Sequence, residues 1–394
     1  MTTASRPTVV LVGAGHAHLH VAEQGRRFAE AGIDLVLIDP GRFWYSSMAT
    51  GLLGGEYEPE EDSLDPHALI TARGGRSIRD KAVAVDRRAR TVALAGGGVQ
   101  PYDVLSLNVG SHVPRHLVVE GTPHVWAAKP ITALLDLRRT LEAAWEDDAE
   151  ARPRAVVVGL GLGGAETALN LDALARRREA RIAVTVLGGG APRTRTTRRL
   201  IALLEERGVT VRPDATVARV AAGEIALEGD ERLAFDHVVL ATGLSAHPLV
   251  GALGLAHDAQ AGLFVSPTLN APDDPRVFAA GDCAAIVGAP RPKVGVFGVR
   301  AAPILCDNLL TAAKDGPEPD SLRPYRPQTR WLWVANLGDG TGLGAWGGEV
   351  GTAPGARLRP GVLWRGRSAL WLKETIDARF MARYRAAPSH SEAR

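Results

Sequence analysis

The chain has only two cysteines in 394 residues, Cys283 and Cys306. They cannot build a disulfide framework, and they form no CxxC or CxxxxC dithiol. Long apolar runs are missing as well: none approaches the ~18–20 residues of a membrane-spanning helix. Net charge is only +2, so no large basic field points to nucleic acid. Lysine is scarce, five residues against 41 arginines, and beside so much alanine and glycine this bias reads as that of a GC-rich genome. The opening MTTASRP is short and polar and runs straight into a strand, unlike a secretory leader, so the expected location is the cytoplasm. What remains is 45% hydrophobic and 23% charged residues, the balance of a soluble globular protein long enough for two or three domains.

Residues 7–12, PTVVLV, read as a buried parallel strand. VGAGHAHLH follows at 12–20, then a helix ending near Gly32, then a second strand, DLVLIDP, ending in Asp39. Strand, GxG turn, helix, strand and acid make up the dinucleotide fingerprint, in which an acid about 20 residues on holds a ribose hydroxyl. Gly13 makes the tight turn. Gly15 lets the backbone approach a pyrophosphate at the helix N-terminus. His18 occupies the place of the third glycine. The three histidines invite a metal reading, but on a helix His16 and His20 share a face and His18 points elsewhere, so no ion can gather all three. His18 and His20 read as packed or solvent-facing helix residues, and His16 as a candidate neighbour of a dinucleotide.

The device recurs at 154–171, RAVVVGLGLGGAETALNL, with Gly159, Gly161 and Gly164 followed by Glu166. The next strand, IAVTVL at 182–187, ends at Gly188 instead of an acid, and Arg193, Arg195, Arg198 and Arg199 follow. A lost carboxylate and added guanidinium groups suit the 2′-phosphate of NADPH. A solvated basic loop, an unused second site and NADH as the ligand remain open at this point. Two dinucleotide folds in one chain imply FAD in the first and NAD(P)H in the second. The strand endings DVLSLNVGSHVP (103–114), HVVLATGLSAHP (237–248) and VFAAGDCAAI (277–286) complete the pattern.

With these motifs in this order, nearly the whole chain resembles the FAD-dependent pyridine nucleotide-disulfide oxidoreductase superfamily. GAGHAHLH, YSSMATGLLGGEY, LSLNVGS, PKVGVFGVR and WLKETIDARFMARY are similar to its type II NADH dehydrogenase-like branch, which includes the flavoprotein domain sometimes fused to selenophosphate synthetase. The resemblance implies an α/β fold of two Rossmann-like domains, for FAD and NAD(P), with a small C-terminal α+β domain. It implies an FAD domain split over 1–118 and 252–325, an NAD(P) domain inserted at 119–251, and a C-terminal part at 326–394. Gly13, Gly15, His16, Asp39, Arg42, Ser47, Val83, Gly110, Gly281, Asp282 and Gly295 are the implied FAD contacts. Gly159, Gly161, Gly164, Arg193, Arg195 and Gly243 are those of the nicotinamide dinucleotide. Glu166 would steer the nicotinamide, Lys293 would balance charge at the flavin, and Tyr45 would touch flavin or acceptor. No metal is implied.

The chain also departs from its relatives. FWYSSMATG holds no cysteine pair, so dithiol chemistry is not expected and both cysteines read as structural. VGVFGVRA lacks the Gln of the quinone motif, and Arg300-Ala301 replaces the usual Arg-Gln. The expected activity is hydride transfer from NAD(P)H to FAD and onward electron transfer to a quinone-like small molecule. A soluble flavoenzyme acting on an aromatic molecule is one alternative, and a flavin-binding redox sensor is another. In the tail, TRWLWVANLGDGTGLGAWGGE reads as a hairpin with Gly-rich turns. The amphipathic helix after it, with Leu370, Leu372, Ile376 and Phe380 inward and Arg or Lys outward, reads as a homodimer interface, a lid, or a peripheral membrane surface.

Overall fold

The computed structural model describes residues 6–190, 194–347 and 362–385. Its architecture is α/β. A six-stranded sheet places Thr8–Val12 at its centre, flanked by parallel Asp34–Ile38 and Val104–Leu107. Arg76–Ile78 lies beyond the first neighbour and Asp274–Ala279 beyond the second, both parallel, with Asn270–Ala271 antiparallel at the edge. A second sheet of five parallel strands runs Val125–Ala127, His237–Leu240, Arg154–Val158, Ala183–Leu187, Thr210–Arg212. Both centres are valine-rich and buried on both faces, as continuous apolar runs in parallel sheets must be.

In both sheets the glycine turn leaves the central strand and opens a helix, His16–Glu23 in the first and Leu162–Arg177 in the second. The first helix breaks at Gln24 and restarts as Gly25–Glu30, where the sequence reads as one continuous helix. The break lies where Gly25 comes against the Arg73 carbonyl, 2.8 Å from where a Cβ would stand.

His18 explains how this turn works without a third glycine. Its ring is fully buried, with Nδ1 2.6 Å from the Gly13 carbonyl oxygen and Nε2 2.8 Å from Ser106 Oγ. It ties the turn to the neighbouring strand. Burial lowers its pKa to about 4, and burial with the nearby Lys129 does the same for His16. Both rings therefore fold neutral, while the unfolded chain protonates them near pH 6.5. Their contribution to stability is present above pH 6.5 and is lost as pH falls towards 4, by about 3 kcal/mol for each ring. We expect urea midpoints to fall steeply across that window. His18→Asn flattens the slope, and an unchanged slope contradicts the assignment.

Helix Gly295–Asp315 passes the length and composition test for crossing a membrane, contrary to the reading that no such stretch exists. It packs against helix His16–Glu23, with Phe297, Leu305 and Leu309 buried. Residues 332–336, 342–346 and 363–366 form an antiparallel sheet, and helix Arg367–Tyr384 packs on it. This helix buries part of the expected stripe, with Leu370 inside and Phe380 packed on Tyr45. Ile376 is exposed, whereas Lys373 and Asp377 are inside with Leu370, Met381 and Tyr384. Lys373 Nζ stands 2.6 Å from Asp377 Oδ2, and burial of a lysine requires such pairing.

Candidate active site

A first cavity, about 250 Å³, opens where the central strand of the six-stranded sheet ends. Gly13, Ala14, Gly15 and His16 form its floor, with Asp39, Arg42, Gly110, Gly281 and Gly295 around it. Asp39 Oδ2 accepts from the Ala14 amide at 2.8 Å and Oδ1 from Gly41 at 2.9 Å. Burial still leaves this carboxyl above its ordinary pKa. The key packing partner is Asn108, which the sequence did not single out beyond its place in LSLNVGS. Its Oδ1 accepts from the amides of Ala17 (3.0 Å) and His18 (3.2 Å), and its Nδ2 donates to the Ala280 carbonyl at 2.7 Å. A Cβ on Gly15 would fall 2.4 Å from Asn108 Oδ1, so only glycine fits between. The floor is thus bare backbone at a helix N-terminus, the cradle that FAD requires for its pyrophosphate.

Asp282 closes the far side. Its Oδ2 accepts from Lys129 Nζ at 2.8 Å and from Ser111 Oγ at 2.7 Å. Burial alone would raise its pKa, but Lys129 and the Ser111 hydrogen bond hold it down at about 2. Lys129 carried no signal in the sequence, because it lies in a loop far from Asp282 along the chain.

A second cavity, about 1000 Å³, shares Ser46, Lys129, Ile131, Gly281 and Asp282 with the first, so the two meet there. Gly161, Leu162, Gly163, Glu166 and Gly243 line one side, and Phe297, Trp331 and Trp333 another. Gly159 and Gly164 stand behind the lining. A Cβ on Gly164 would lie 1.9 Å from the Gly159 carbonyl oxygen, which is the close helix–strand packing the third glycine permits. Glu166 Oε1 accepts from Thr50 Oγ1 (2.9 Å) and from the Asn336 amide (2.8 Å), and burial raises its pKa. Lys293 Nζ donates to the Ala261 and Asp282 carbonyls, and burial lowers its pKa.

Several expected contacts lie elsewhere. Tyr45 is on neither wall: its ring stacks on Phe380 at 4.4 Å, beside Phe43 and His16, and burial raises its pKa. Ser47 donates to Asp377 Oδ2 at 3.1 Å, one layer behind the wall that Ser46 forms. Val83 is half exposed on a separate antiparallel sheet and touches neither cavity. Arg195 and Arg198 point outward and Arg199 pairs with Glu206, because helix Arg195–Glu206 turns Thr196 and Leu200 inward. Arg193 lies outside the described residues. Cys283 is buried, with Sγ 3.3 Å from the Ala280 carbonyl oxygen, and the buried Cys306 thiol is pushed up to about 12.

Comparison with known proteins agrees with this geometry. Residues 7–302 match the family described as pyridine nucleotide-disulphide oxidoreductase. The chain is 27% identical to a probable ferredoxin reductase, CtmF, of Castellaniella defragrans, over 82% of this chain and 78% of that one. It is 31% identical to the NADH dehydrogenase-like protein MT1860 of Mycobacterium tuberculosis, over 55% of this chain and 57% of that one. It is 25% identical to demethylphylloquinone reductase NdbB of Synechocystis, over 71% and 72%. The fold matches that of the sulfide:quinone oxidoreductase of Aquifex aeolicus with a TM-score of 0.78 and 17% identity, covering 98% of this chain and 94% of that one.

Proposed function

The chain belongs to the pyridine nucleotide-disulphide oxidoreductase family, an FAD- and NAD(P)H-dependent oxidoreductase group, and from that premise we propose that its electrons go from NAD(P)H to a quinone-like small molecule. The observation carrying this reading is the junction at Ser46, Lys129, Ile131, Gly281 and Asp282. A dinucleotide held at Gly13–Gly15 and one held at Gly161–Gly163 would approach each other from the two cavities that meet there. FAD, when bound, supplies the two-electron carrier. Gly13, Gly15 and Asp39 hold its ADP half. Lys129 keeps Asp282 ionised, and Lys293 sets positive charge beside the cavity junction. Glu166, fixed by two donors, orients the nicotinamide, while Phe297, Trp331 and Trp333 keep water away. Residues 1–118 and 252–325 form the FAD part in this reading, 119–251 the NAD(P)H part, and 326–394 the acceptor side.

Two further facts support the acceptor class. No cysteine pair borders the junction, so a disulfide relay has no residues to use. The relative from Synechocystis is named for reducing a quinone. Trp371 and Ile376 of the last helix are exposed and line neither cavity, which leaves this helix open to peripheral membrane contact. Steady-state assays with NADPH or NADH against a soluble naphthoquinone and a ferredoxin test the reading. Turnover with the quinone is expected; turnover with ferredoxin alone contradicts it.

Gly188 sharpens the nucleotide question. A Cβ there would stand 2.7 Å from the Pro213 carbonyl oxygen and 3.1 Å from Leu160 Cβ. Gly188→Asp therefore cannot restore an NADH-type acid in place. We expect it to lose about 1–3 kcal/mol in thermal or urea unfolding, with no gain in kcat/KM for NADH. A stable variant that prefers NADH contradicts this.

A further inference from the structure

The wall of the second cavity carries more positive charge than the protein neutralises. Lys129, Arg291 and Lys293 line it, against the acids Glu166 and Asp282. Asp282 is taken by Lys129 at 2.8 Å. Glu166 is held by Thr50 and Asn336, and the cation whose charge reaches it is Lys373. Arg291 and Lys293 are left with carbonyl oxygens alone among the described residues. Arg291 Nη2 donates to Ala284 at 3.2 Å, and Lys293 Nζ donates to Ala261 at 2.8 Å and to Asp282. Nη1 of Arg291 has no partner and is closed off from water, and an ammonium with two bonds still has a third N–H to give. An arginine keeps its charge in any surroundings, and burying a charge without a counter-charge is unfavourable. The position of Arg291 is nonetheless rigid. It stands between Pro290 and Pro292, in the loop that joins strand Ala284–Ile286 to helix Gly295–Asp315, and proline restricts both itself and the residue before it. The wall beside it is aromatic. Phe297, in the first turn of that helix, meets Trp331 edge-on with ring centroids 5.2 Å apart, and Trp333 and Phe264 also line the cavity.

We propose that Arg291 and Lys293 form an anion subsite of the second cavity, and that the acceptor is a planar ring carrying an acidic group such as a carboxylate. The proposal rests on the quinone-like acceptor argued above and narrows it. The ring lies along Phe297, Trp331 and Trp333, and the acidic group reaches Arg291 and Lys293. Nη1 has no bond to give up when the guanidinium turns to the anion, so the complex gains a bond that the free protein lacks. Charge-assisted bonds of this kind are the strong ones, and a guanidinium matches a carboxylate with two parallel N–H groups. A neutral quinone gains the ring contact alone and leaves both cations as they are. The subsite therefore sets specificity within the acceptor class. Neither Arg291 nor Lys293 lines the first cavity, so the FAD cradle does not explain them. The nicotinamide dinucleotide has its own phosphate cradle on a different segment, at the N-terminus of helix Leu162–Arg177.

Equilibrium dialysis of the flavin-loaded protein tests the subsite apart from turnover. Naphthalene sulfonate and the uncharged naphthalene sulfonamide have nearly the same shape. We expect the wild type to bind the sulfonate more tightly, on the order of 10-fold to 100-fold. Arg291→Gln removes that difference. Arg291→Lys, which keeps the charge and loses the two-pronged match, retains part of it. In steady-state assays, Arg291→Gln lowers the preference in kcat/KM for a sulfonated naphthoquinone over its unsulfonated parent by a similar factor. Equal affinity of the wild type for the two naphthalenes overturns the proposal. So does an Arg291→Gln protein that keeps the preference, or one that loses affinity for NADPH or NADH instead, since the guanidinium would then serve the nucleotide. If Arg291→Gln does not fold, the wild-type comparison and Arg291→Lys decide. Failure to turn over either naphthoquinone would count against the acceptor reading while leaving the dialysis result standing.

Discussion

Gly15→Ala is expected to purify without bound flavin, lacking visible absorbance where the wild type is yellow. The added Cβ would enter at 2.4 Å from Asn108 Oδ1 and 2.6 Å from the Asn108 carbonyl oxygen, and backbone cannot yield as a flexible side chain can. Asn108 would have to give up its bonds to the Ala17 and His18 amides and to the Ala280 carbonyl. Those bonds set the start of the helix that faces the pyrophosphate. Overpacking of this kind costs about 1–3 kcal/mol, so the variant folds with a lowered melting temperature. Losing the helix N-terminus as a phosphate site lowers flavin affinity on the order of 100-fold. Equilibrium dialysis against FAD measures this directly. A variant that binds flavin as the wild type does would show that the first cavity is not the FAD site.

Lys129→Met should give the second large effect, with a distinctive pH signature. Asp282 is buried and held at about 2 by Lys129, against an ordinary value of 3.8. In the wild type this stabilisation is present above pH 3.8 and is lost as pH falls towards 2. Removing the ammonium leaves a buried carboxylate without its main partner, a loss of about 3–5 kcal/mol. The Asp282 pKa then rises, so the penalty is largest at neutral pH and shrinks as acid protonates Asp282. Lys129→Met with Asp282→Asn should recover much of the loss. Urea unfolding from pH 7 down to pH 4 checks this; a constant difference between wild type and Lys129→Met contradicts the pairing.

The two dinucleotide folds were legible because their signals are local. A valine run, a glycine turn and a helix lie within about 20 consecutive residues, and periodicity and glycine placement report them directly. The His16–His18–His20 stretch was legible in outline: a helix cannot bring the three rings together, and His18 turns inward to Gly13 and Ser106. What stayed hidden joins distant segments. Asn108 meets residues 91 and 172 positions away, and Lys129 meets Asp282 across 153. No local pattern encodes such a meeting. The last helix misled for the opposite reason. Its pattern favours Ile376 inside, but the Lys373–Asp377 pair neutralises itself at i,i+4 and takes the buried face. After Gly188 a helix turns Thr196, Thr197 and Leu200 to the cavity and leaves Arg195 and Arg198 exposed, a facing that the run of arginines in the sequence does not show.

The most direct test of the central claim is an anaerobic titration of the purified protein followed from 300 to 600 nm. The account predicts flavin bands that bleach within seconds on adding NADPH or NADH and return on adding a naphthoquinone. Flavin bands that neither nucleotide bleaches would contradict it, because the junction of the two cavities would then carry no hydride.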